Sequence, residues 1–316
     1  MNTKRFLVGF AVVCMILAPV LGQAEEWAPK GSIRLLIAFG AGGSTDTLGR
    51  LVAAQVEEDT GWNVVVENKP GGGGVAMLSG LMNEKPDGLT IGLAVNVPIL
   101  LNLAKRGDKL PFKIDTFDYL GTITKGEVAL VARSDAPFDD IHDFIALAKK
   151  KKLAIAFDAM PQQMIMTAVG NQAGVKFKFI KHKSGAEQIQ SLLGGHVDAG
   201  CPAGAHIKYL QSGDLKMIAA FGKDRYSYAP ETKTLMESGY KFYLDPYYYL
   251  VAPRGLPANV KATLVKVFDE AIHSDRVKTA LWNTLKTAPY NLGPDGTFKM
   301  LSDGVRNIKT VIDAGK

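Results

Sequence analysis

A short apolar segment that breaks into glycines and resumes as a helix, residues 33–47 (IRLLIAFGAGGSTDT), constrains the fold more than any other part of this sequence. Ile33–Phe39 is too short for a helix and predicts a buried strand. Gly61 marks the end of a helix whose apolar residues recur at helical spacing: Leu48, Leu51, Val52 and Val56. The glycines in between predict a tight turn, with Ser44 and Thr45 as a helix cap. The unpaired N–H groups of such a helix start suit an anionic ligand, although a turn that binds nothing has the same spacing.

The amino terminus has the pattern of a signal peptide. A basic pair, Lys4 and Arg5, precedes the apolar run Phe6–Leu21, and the small residues at 22–24 (GQA) suit cleavage. The apolar run also approaches the length of a membrane-anchoring helix. We predict that residues 1–24 are removed and that the mature chain is exported to the periplasm as a soluble protein, because no later run approaches the ~20 apolar residues of a membrane span.

Charge and cysteine content narrow the class of protein. The net charge of +6 falls to +4 when Lys4 and Arg5 are removed. This mild and diffuse excess suits small anions and does not indicate nucleic-acid binding. Cys201 is then the only cysteine, so no intrachain disulfide is expected. The roughly 290 residues that remain predict two domains, at the usual one to two hundred residues each.

Strand and helix signals alternate along the rest of the chain, which predicts parallel strands in sheets flanked by helices. Two such series follow one another, with crossings expected near 121–127 and 221–228. We assign residues 25–123 and 224–316 to a discontinuous first domain and residues 124–223 to the second. Because ligands of such sheets lie at the carboxyl ends of the strands, the glycine turn is expected to face a cleft between two hinged lobes.

Longer segments of the sequence resemble a known family. The segments IRLLIAFGAGGSTDTLGRLVA, VVVENKPGGGG and KPDGLTIGLA are followed by SLLGGHVDAGC, LQSGDLKMIAAFGKDR, ETKTLMESGY and YYYLVAPRGLPANV. Together they resemble the periplasmic substrate-binding proteins of tripartite tricarboxylate transporters over nearly the whole mature chain. The resemblance implies an α/β fold of the type II periplasmic-binding-protein kind, with two mixed sheets flanked by helices and joined by two hinge strands. It also implies capture of a small organic acid, often a di- or tricarboxylate, for a membrane permease.

The resemblance further implies a set of ligand contacts. The loop after the first strand matches the family's first ligand loop, which holds a carboxylate through backbone N–H groups and hydroxyls: Phe39, Ala41, Gly42, Gly43, Ser44, Thr45 and Asp46. Asn96 stands where the family has a polar contact after the third strand. Ser184 stands before a helix, where Lys183 replaces the family's usual aromatic residue. The segment 158–163 (DAMPQQ) departs from the family's glycine- and serine-rich loop, which faces the ligand from the second domain.

Other residues are assigned to the cleft with alternatives left open. Met160 and Gln162 begin a helix that is expected to hold the far end of the ligand, although a first-turn glutamine is also compatible with plain solvation. Asp198 ends a predicted strand and meets either a ligand amine or the following turn, which it caps. Tyr247 and Tyr248 lie on opposite faces of a strand. We take Tyr247 as a hydroxyl at the cleft, with core packing as the alternative.

The sequence contains no constellation typical of catalysis or metal binding. The histidines at 142, 182, 196, 206 and 273 lack ligand spacing, and no serine-nucleophile elbow is present. We therefore predict a monomeric binding protein without enzymatic activity, cofactor or metal, whose partners are a small carboxylate (a di- or tricarboxylate or an aromatic acid) and permease subunits. Two alternatives remain: an exported dinucleotide-dependent enzyme that uses Gly40, Gly42 and Glu67, and a sensor that reports its ligand to a signalling partner.

Overall fold

The structure is a computed structural model that describes residues 27–315, so the expected signal peptide at 1–24 lies outside the described residues. Within residues 27–315 the strands are β1 (Ile33–Ile37), β2 (Val64–Asn68), β3 (Thr90–Val95), β4 (Phe117–Lys125), β5 (Ala129–Arg133), β6 (Ala154–Phe157), β7 (Lys178–Lys181), β8 (Ala199–Gly200), β9 (Leu215–Ala220) and β10 (Tyr247–Pro253). Their order along the chain follows the predicted series.

The α-helices of the described chain are α1 (Ser44–Thr60), α2 (Val75–Leu81), α3 (Asn96–Arg106), α4 (Ile141–Ala148), α5 (Met160–Ala173), α6 (Gly185–Leu193), α7 (Ile207–Gln211), α8 (Ala258–Ile272), α9 (Asp275–Leu285) and α10 (Gly293–Ala314). The sequence analysis predicts neither α3 nor α7. α3 follows β3 directly, without a turn signal, and α7 has only five residues. Across residues 27–315, every helix is too short or too polar to cross a lipid bilayer.

The first sheet has the strand order β2-β1-β3-β10-β4. β1 pairs in parallel with β2 and β3, whereas β10 runs antiparallel to β3 and β4. The carboxyl ends of β1, β3 and β4 therefore meet the start of β10 at one edge of the sheet. This edge carries the glycine turn after β1, Asn96 after β3, Lys125 at the end of β4 and Tyr247 at the start of β10.

The second sheet has the order β7-β6-β8-β5-β9. β6 is parallel to β7 and β8, and β5 is antiparallel to β8 and β9. The carboxyl ends of the three parallel strands therefore meet the start of β5. This second edge carries Asp158 after β6, His182 after β7, Cys201 after β8 and Glu127 just before β5.

Two crossings join the sheets. Residues 126–128 lead from β4 to β5, and residues 221–246 lead back from β9 to β10. The crossings touch where the Gly126 N–H donates to the Pro246 carbonyl at 2.7 Å. Because only three residues separate the two sheet edges at the first crossing, the edges face each other. The predicted fold class, two mixed sheets flanked by helices, is confirmed, and β5 and β10 supply antiparallel strands that alternation alone does not reveal.

The carboxyl-terminal helix contacts both lobes. α8 and α9 pack against α1, and their apolar faces share a buried cluster with β1. α10 packs along β4 and α3 but also reaches α5, where the Asn171 amide donates to the Ala314 carbonyl at 3.1 Å. α10 therefore braces the two lobes, whereas the sequence predicts only its return to the first.

The glycine run at residues 71–74 packs beneath the end of β1. All four glycines have positive φ angles, which other residues adopt at a cost. A Cβ on Gly73 would come within 2.8 Å of the Pro98 Cβ, and a Cβ on Gly74 within 3.4 Å of the Ala38 Cβ. The run is therefore architectural, because it lets the β2–α2 turn approach Pro98 on α3 and Ala38 after β1.

Candidate functional site

The glycine loop, defined here as residues 40–46, joins β1 to α1 at the edge that faces the second lobe. Gly42 has a φ of 77°, in the left-handed region that favours glycine. Gly43 is the N-cap of α1, in an extended conformation, and no side chain caps the helix. Ser44 and Thr45 lie inside the first turn instead. Their predicted role as capping residues is therefore wrong.

Asp46 organises the loop from within the helix. Its carboxylate accepts hydrogen bonds from the Gly42 N–H at 2.9 Å, from the Asn68 amide at 2.9 Å and from the Arg50 Nε at 3.0 Å. The Arg50 guanidinium is the main cause that lowers the pKa of Asp46 from 3.8 to about 2, with the Gly42 N–H and the Asn68 amide adding to it. The carboxylate is therefore ionised and turned toward the protein, so Asp46 offers a ligand only its backbone.

Asn68, at the end of β2, is a loop residue that the sequence analysis missed. Its amide donates to the Phe39 carbonyl at 3.0 Å as well as to Asp46, and its Oδ1 accepts from Arg50 at 3.1 Å. Phe39 is half-buried against the core, whereas Ala41 is exposed. Asn68 thus ties both ends of the loop to β2. In the sequence, the polar residue directly after the strand segment VVVE is the feature that indicates this role.

The first turn of α1 leaves backbone donors unpaired. The Thr47 N–H is the first to bond back, to the Gly43 carbonyl at 2.9 Å. The N–H groups of Ser44, Thr45 and Asp46 have no acceptor among residues 27–315, as the geometry of a helix start requires. Ser44 is exposed, while Thr45 and Asp46 are buried. The donors therefore reach solvent at the Ser44 end of the turn.

Tyr248 joins β10 to the glycine loop. Its side chain is buried, and its hydroxyl donates to the Ser44 Oγ at 3.0 Å. The strand pairing shifts by one residue between Tyr248 and Tyr249, while Tyr249 packs in the core. The sequence assigns the cleft hydroxyl to Tyr247, whereas in the structure Tyr248 is the tyrosine that touches the loop.

Tyr247 belongs to a cluster at the first crossing. The Lys125 Nζ lies 5.4 Å from the Tyr247 ring centroid and 4.8 Å from that of Tyr290, within the range of cation–π attraction. Burial raises the pKa of the Tyr247 hydroxyl, and the nearby Lys125 opposes that shift. The Tyr247 and Tyr290 rings therefore hold Lys125 between two aromatic faces at the first crossing.

Asn96 is a structural clasp. It is buried, its amide donates to the Asp245 carbonyl at 3.1 Å, and its Oδ1 accepts from the Tyr247 N–H at 2.8 Å. Both ends of the side chain are thus occupied by the segment that leads into β10. The second crossing thus takes up the hydrogen-bonding groups of Asn96, whose contact with a ligand stays a prediction.

The segment 158–163 enters α5 from β6. Gln162 is buried, and its Oε1 accepts from the N–H groups of Asp158 at 2.9 Å and Ala159 at 3.1 Å. It therefore caps its own helix, and its burial contradicts plain solvation, whereas its contact with a ligand stays a prediction. Met160 is 47% exposed and faces the end of α3 at Lys105. Asp158 is half-buried, and burial raises the pKa of its carboxyl, whereas hydrogen bonds with the Gln162 and Gln188 amides oppose the shift.

Two further predicted contacts serve the second lobe itself. Ser184 is the N-cap of α6, where its hydroxyl accepts from the Glu187 N–H at 3.3 Å. Asp198 accepts from the Ala154 N–H at 2.8 Å and pairs with Lys151 at 3.2 Å. Because Ala154 starts β6 and Asp198 precedes β8, this carboxylate lies at the amino ends of the strands. Its assignment to the cleft is therefore wrong.

Three cavities show how these residues are distributed. One of about 200 Å³ contains Asn96 and Tyr247 beside α10 but no residue of the glycine loop. A small apolar one lies between Ser44 on α1 and Thr284 on α9. A third, of about 330 Å³, lies between Thr284 and two residues of the second lobe, Ala186 and Gly204. The end of α9 therefore connects the glycine loop to the start of α6 across the two lobes.

A buried polar chain lies where the second lobe begins. Burial raises the pKa of Glu127 from 4.5 to about 7, opposed by a hydrogen bond with Tyr228 and by the charge of Lys125. The Tyr228 hydroxyl is 3.0 Å from the His206 Nε2, and burial lowers the pKa of His206 to about 3. Among Glu127, Tyr228 and His206, Glu127 is thus the group that changes charge near neutral pH.

Glu67, the acid that a dinucleotide site would require, is committed to ion pairs. It lies 2.8 Å from the Arg34 Nε and 2.9 Å from the Lys69 Nζ, and hydrogen bonds from Arg34 and Lys69 lower its pKa from 4.5 to about 2. Within residues 27–315, no cluster of three or more histidine, cysteine or acidic residues is arranged to hold a metal ion.

Sequence comparisons relate the chain to bacterial relatives. A family model described as the tripartite tricarboxylate transporter family receptor matches residues 48–316, beginning just after the glycine loop. Protein BugT of Bordetella pertussis is 27% identical over 324 residues, which cover 99% of this chain and 98% of BugT. A UPF0065 protein in the gbd 5′ region of Cupriavidus necator is 27% identical over 307 residues, which cover 96% of this chain and 93% of that protein.

Solved structures share the fold. The periplasmic binding protein BugD superposes with a TM-score of 0.76 at 24% identity, over 91% of this chain and 98% of BugD. MatC from Rhodopseudomonas palustris with bound malate gives 0.75 at 22% identity, over 90% of this chain and 100% of MatC. R. palustris Rpa4515 with adipate gives 0.78 at 20% identity, over 91% and 98%. At these identities the likeness concerns the two-lobed fold.

Proposed function

Because the chain belongs to the family of tripartite tricarboxylate transporter receptors, we propose that it binds a small organic carboxylate between its lobes and delivers it to a membrane permease. The candidate ligands are di- and tricarboxylates and aromatic acids. Malate and adipate, the ligands in the MatC and Rpa4515 structures, are both dicarboxylates, which supports this class. The receptor acts as a monomer outside the cytoplasm, after removal of residues 1–24.

One observation carries the proposal: the unpaired N–H groups of Ser44, Thr45 and Asp46 at a sheet edge that faces the second lobe. Such donors, reinforced by the helix dipole, bind a carboxylate without any lysine. Each charge-assisted hydrogen bond contributes about 1.5–3 kcal/mol. A handful of them supports micromolar binding after the cost of association is subtracted. Gly42 and Gly43 complete this end of the site.

The two-lobed architecture supplies the closing motion of the proposed mechanism. We place the lobe boundaries at 123/124 and 223/224, so that the crossings beside Gly126 act as hinges. Closure brings the start of α6 and the Asp158 segment toward the glycine loop and forms a composite face that the permease recognises.

A matched pair of substitutions tests the role of the backbone donors. Gly43 has φ −81° and ψ 169°, the extended conformation that a following proline needs, and Ser44 is the first residue of α1, where proline is well tolerated. Ser44→Pro and Ser44→Ala both remove the hydroxyl, but only Ser44→Pro removes an N–H group. Affinity measured by calorimetry should therefore be about 10- to 100-fold weaker in Ser44→Pro than in Ser44→Ala.

The ligand for that test comes from a thermal-shift screen of mono-, di-, tri- and aromatic carboxylates. A ligand at 100 times its Kd stabilises the folded protein by about 2.7 kcal/mol, which raises the melting temperature by about 5 °C or more. Absence of any stabilising carboxylate would contradict the proposed function. Equal affinities of Ser44→Pro and Ser44→Ala would contradict the role of the loop.

A further inference from the structure

The positive charge of this chain is concentrated in one part of the second lobe. Residues 149–183 contain eight lysines, no arginine and one acidic residue, Asp158. The net charge of the chain without residues 1–24 is only +4, so the rest of that chain is net negative. The excess that the overall charge suggests to be diffuse is therefore local, and a local excess attracts anions more strongly than a diffuse one.

Six of these lysines form one exposed surface, called here the lysine edge: Lys149, Lys150, Lys151, Lys152, Lys176 and Lys178. The first four connect α4 to β6, and the last two begin β7. The Phe144 ring on α4 stacks on Phe177 with the ring centroids 5.4 Å apart, and the Lys178 N–H donates to the Leu153 carbonyl at 2.8 Å. Both groups of lysines therefore lie side by side at the amino ends of β6 and β7.

Most of the lysine edge lacks a counter-ion. Lys151 pairs with Asp198 at 3.2 Å, and the other five lysines have no ion-pair partner among residues 27–315. Further along the same edge of the sheet, Asp139 is already paired with Lys216. Like charges on neighbouring strands repel each other. An anionic partner would relieve this repulsion.

Two structural roles explain parts of the lysine edge but not the whole. Cations at the carboxyl end of α4 complement the helix dipole, which accounts for charge at 149–152. Lysines on an edge strand such as β7 prevent it from pairing with another chain, which accounts for Lys176 and Lys178. Neither role requires the two groups to meet in one surface.

The composition of the lysine edge favours a lipid surface over a folded protein as the partner. None of the large apolar side chains that residues 27–315 expose lies within 149–152 or 176–178. Protein interfaces usually have an apolar centre and are depleted in lysine. A lysine head group is a point charge without the planar fork by which arginine recognises a particular carboxylate. Clusters of four to eight basic residues are typical of surfaces that bind anionic lipid.

We propose that the lysine edge docks the receptor onto a bilayer surface that contains anionic phospholipid. The edge lies at the amino ends of the strands, and β6 (Ala154–Phe157) separates it from the edge that faces the first lobe by roughly 13 Å. Docking therefore leaves the cleft between the lobes open to ligand while it holds the receptor near the membrane. The inference does not involve the glycine loop, so it is independent of carboxylate binding.

Co-sedimentation with vesicles tests the docking. The protein without residues 1–24 is mixed with vesicles of phosphatidylcholine alone or with about 30% phosphatidylglycerol. We expect binding to the anionic vesicles at about 20 mM salt and at least about tenfold weaker binding at about 200 mM salt, because salt screens exposed charges. Vesicles of phosphatidylcholine alone should not bind the protein.

Two variants with the same change in net charge locate the surface. The edge variant combines four substitutions in the lysine edge: Lys149→Gln, Lys150→Gln, Lys152→Gln and Lys176→Gln. The control variant combines four substitutions of exposed lysines outside it: Lys30→Gln, Lys85→Gln, Lys233→Gln and Lys309→Gln. A lysine near an anionic surface strengthens binding by about fivefold, so the edge variant should bind at least about tenfold more weakly than wild type. The control variant should stay within about twofold of wild type.

Circular dichroism establishes that each variant is folded, and the double variant Lys150→Gln/Lys176→Gln replaces the edge variant if the latter is not. Three results would overturn the inference. Absence of binding to anionic vesicles at low salt would remove the docking. Equal losses in the edge and control variants would assign any binding to net charge. Binding to soluble polyglutamate but not to vesicles would assign the lysine edge to an acidic protein segment. The carboxylate screen tests the proposed function separately, since its outcome does not depend on these lysines.

Discussion

Asp46 should contribute measurably to stability, although it was expected to act as a ligand contact. Its carboxylate holds the Gly42 N–H, the Asn68 amide and the Arg50 guanidinium, and its side chain is only 5% exposed. Asp46→Asn preserves the shape of the side chain but removes its charge and turns one acceptor into a donor. The variant should therefore lose the geometry that keeps the glycine loop folded against β2.

The magnitude follows from the pKa of Asp46, which is lowered from 3.8 to about 2. At 1.36 kcal/mol per unit, the shift corresponds to about 2.4 kcal/mol. Because the Arg50 side chain is 51% exposed, solvent screening reduces this value, and we expect about 1–2 kcal/mol. For a protein of this size, that is a loss of about 2–6 °C in melting temperature at pH 7.

The dependence on pH has a definite sign. A depressed acid pKa gives stability that is complete above 3.8 and is lost as the pH falls toward 2. The difference between wild type and Asp46→Asn should therefore be equal at pH 7 and pH 5 and about half as large at pH 3. Asp303→Asn, which removes exposed ion pairs with Lys299 and Arg306, is the control and should leave the melting temperature almost unchanged. Equal effects of the two substitutions in thermal unfolding would refute the reasoning.

Three other perturbations have defined outcomes. Tyr248→Phe removes the hydrogen bond to Ser44 and should lower the free energy of unfolding in urea by about 0.5–1.5 kcal/mol; an unchanged urea midpoint would contradict this. Glu127→Gln removes a carboxyl whose pKa is raised from 4.5 to about 7, so the wild type loses stability as the pH rises through that window. In thermal unfolding, the variant should become about 1–2 kcal/mol more stable relative to wild type as the pH rises from 5 to 8. A variant that becomes less stable relative to wild type over this range would show that the acid is charged in the folded protein. Gly73→Ala and Gly174→Ala both pay for positive φ angles of 67° and 69°, but only the Cβ at Gly73 would meet a proline ring at 2.8 Å. Gly73→Ala should therefore be the more destabilising by about 1–2 kcal/mol, and equal melting temperatures would exclude the steric cause.

The sequence predicts most of the elements because their apolar periods differ. Glycines separate Ile33–Phe39 from the helix that ends at Gly61. The change in the spacing of apolar residues and the turn-forming glycines therefore mark the same boundary. α3 escapes prediction because no breaker separates it from β3, and the strand pattern ends directly in Asn96. The antiparallel placement of β10 depends on pairing with β3 and β4, which are far away in sequence.

The site is harder to predict than the fold because residue type does not fix side-chain direction. Asn96, Gln162 and Asp198 are all suited to a ligand, yet each bonds to the protein's own backbone. Asp198 is predicted at the end of a strand, but it lies directly before the two-residue strand β8 and therefore at the amino end of that strand. The cap of α1 falls one residue before Ser44, within the usual uncertainty of a helix end.

The central claim is that the backbone of the α1 start holds a carboxylate, and amide NMR tests it most directly. The ligand that stabilises the protein most is titrated into labelled protein, and the N–H signals of Ser44, Thr45 and Asp46 are followed. The start of α8 at Ala258 is the internal control, since it is another helix start of the first lobe that the sheet edge does not include. We predict that the three α1 signals move strongly and saturate with the Kd while that of Ala258 stays fixed. Saturable binding that leaves Ser44, Thr45 and Asp46 unmoved would contradict the account.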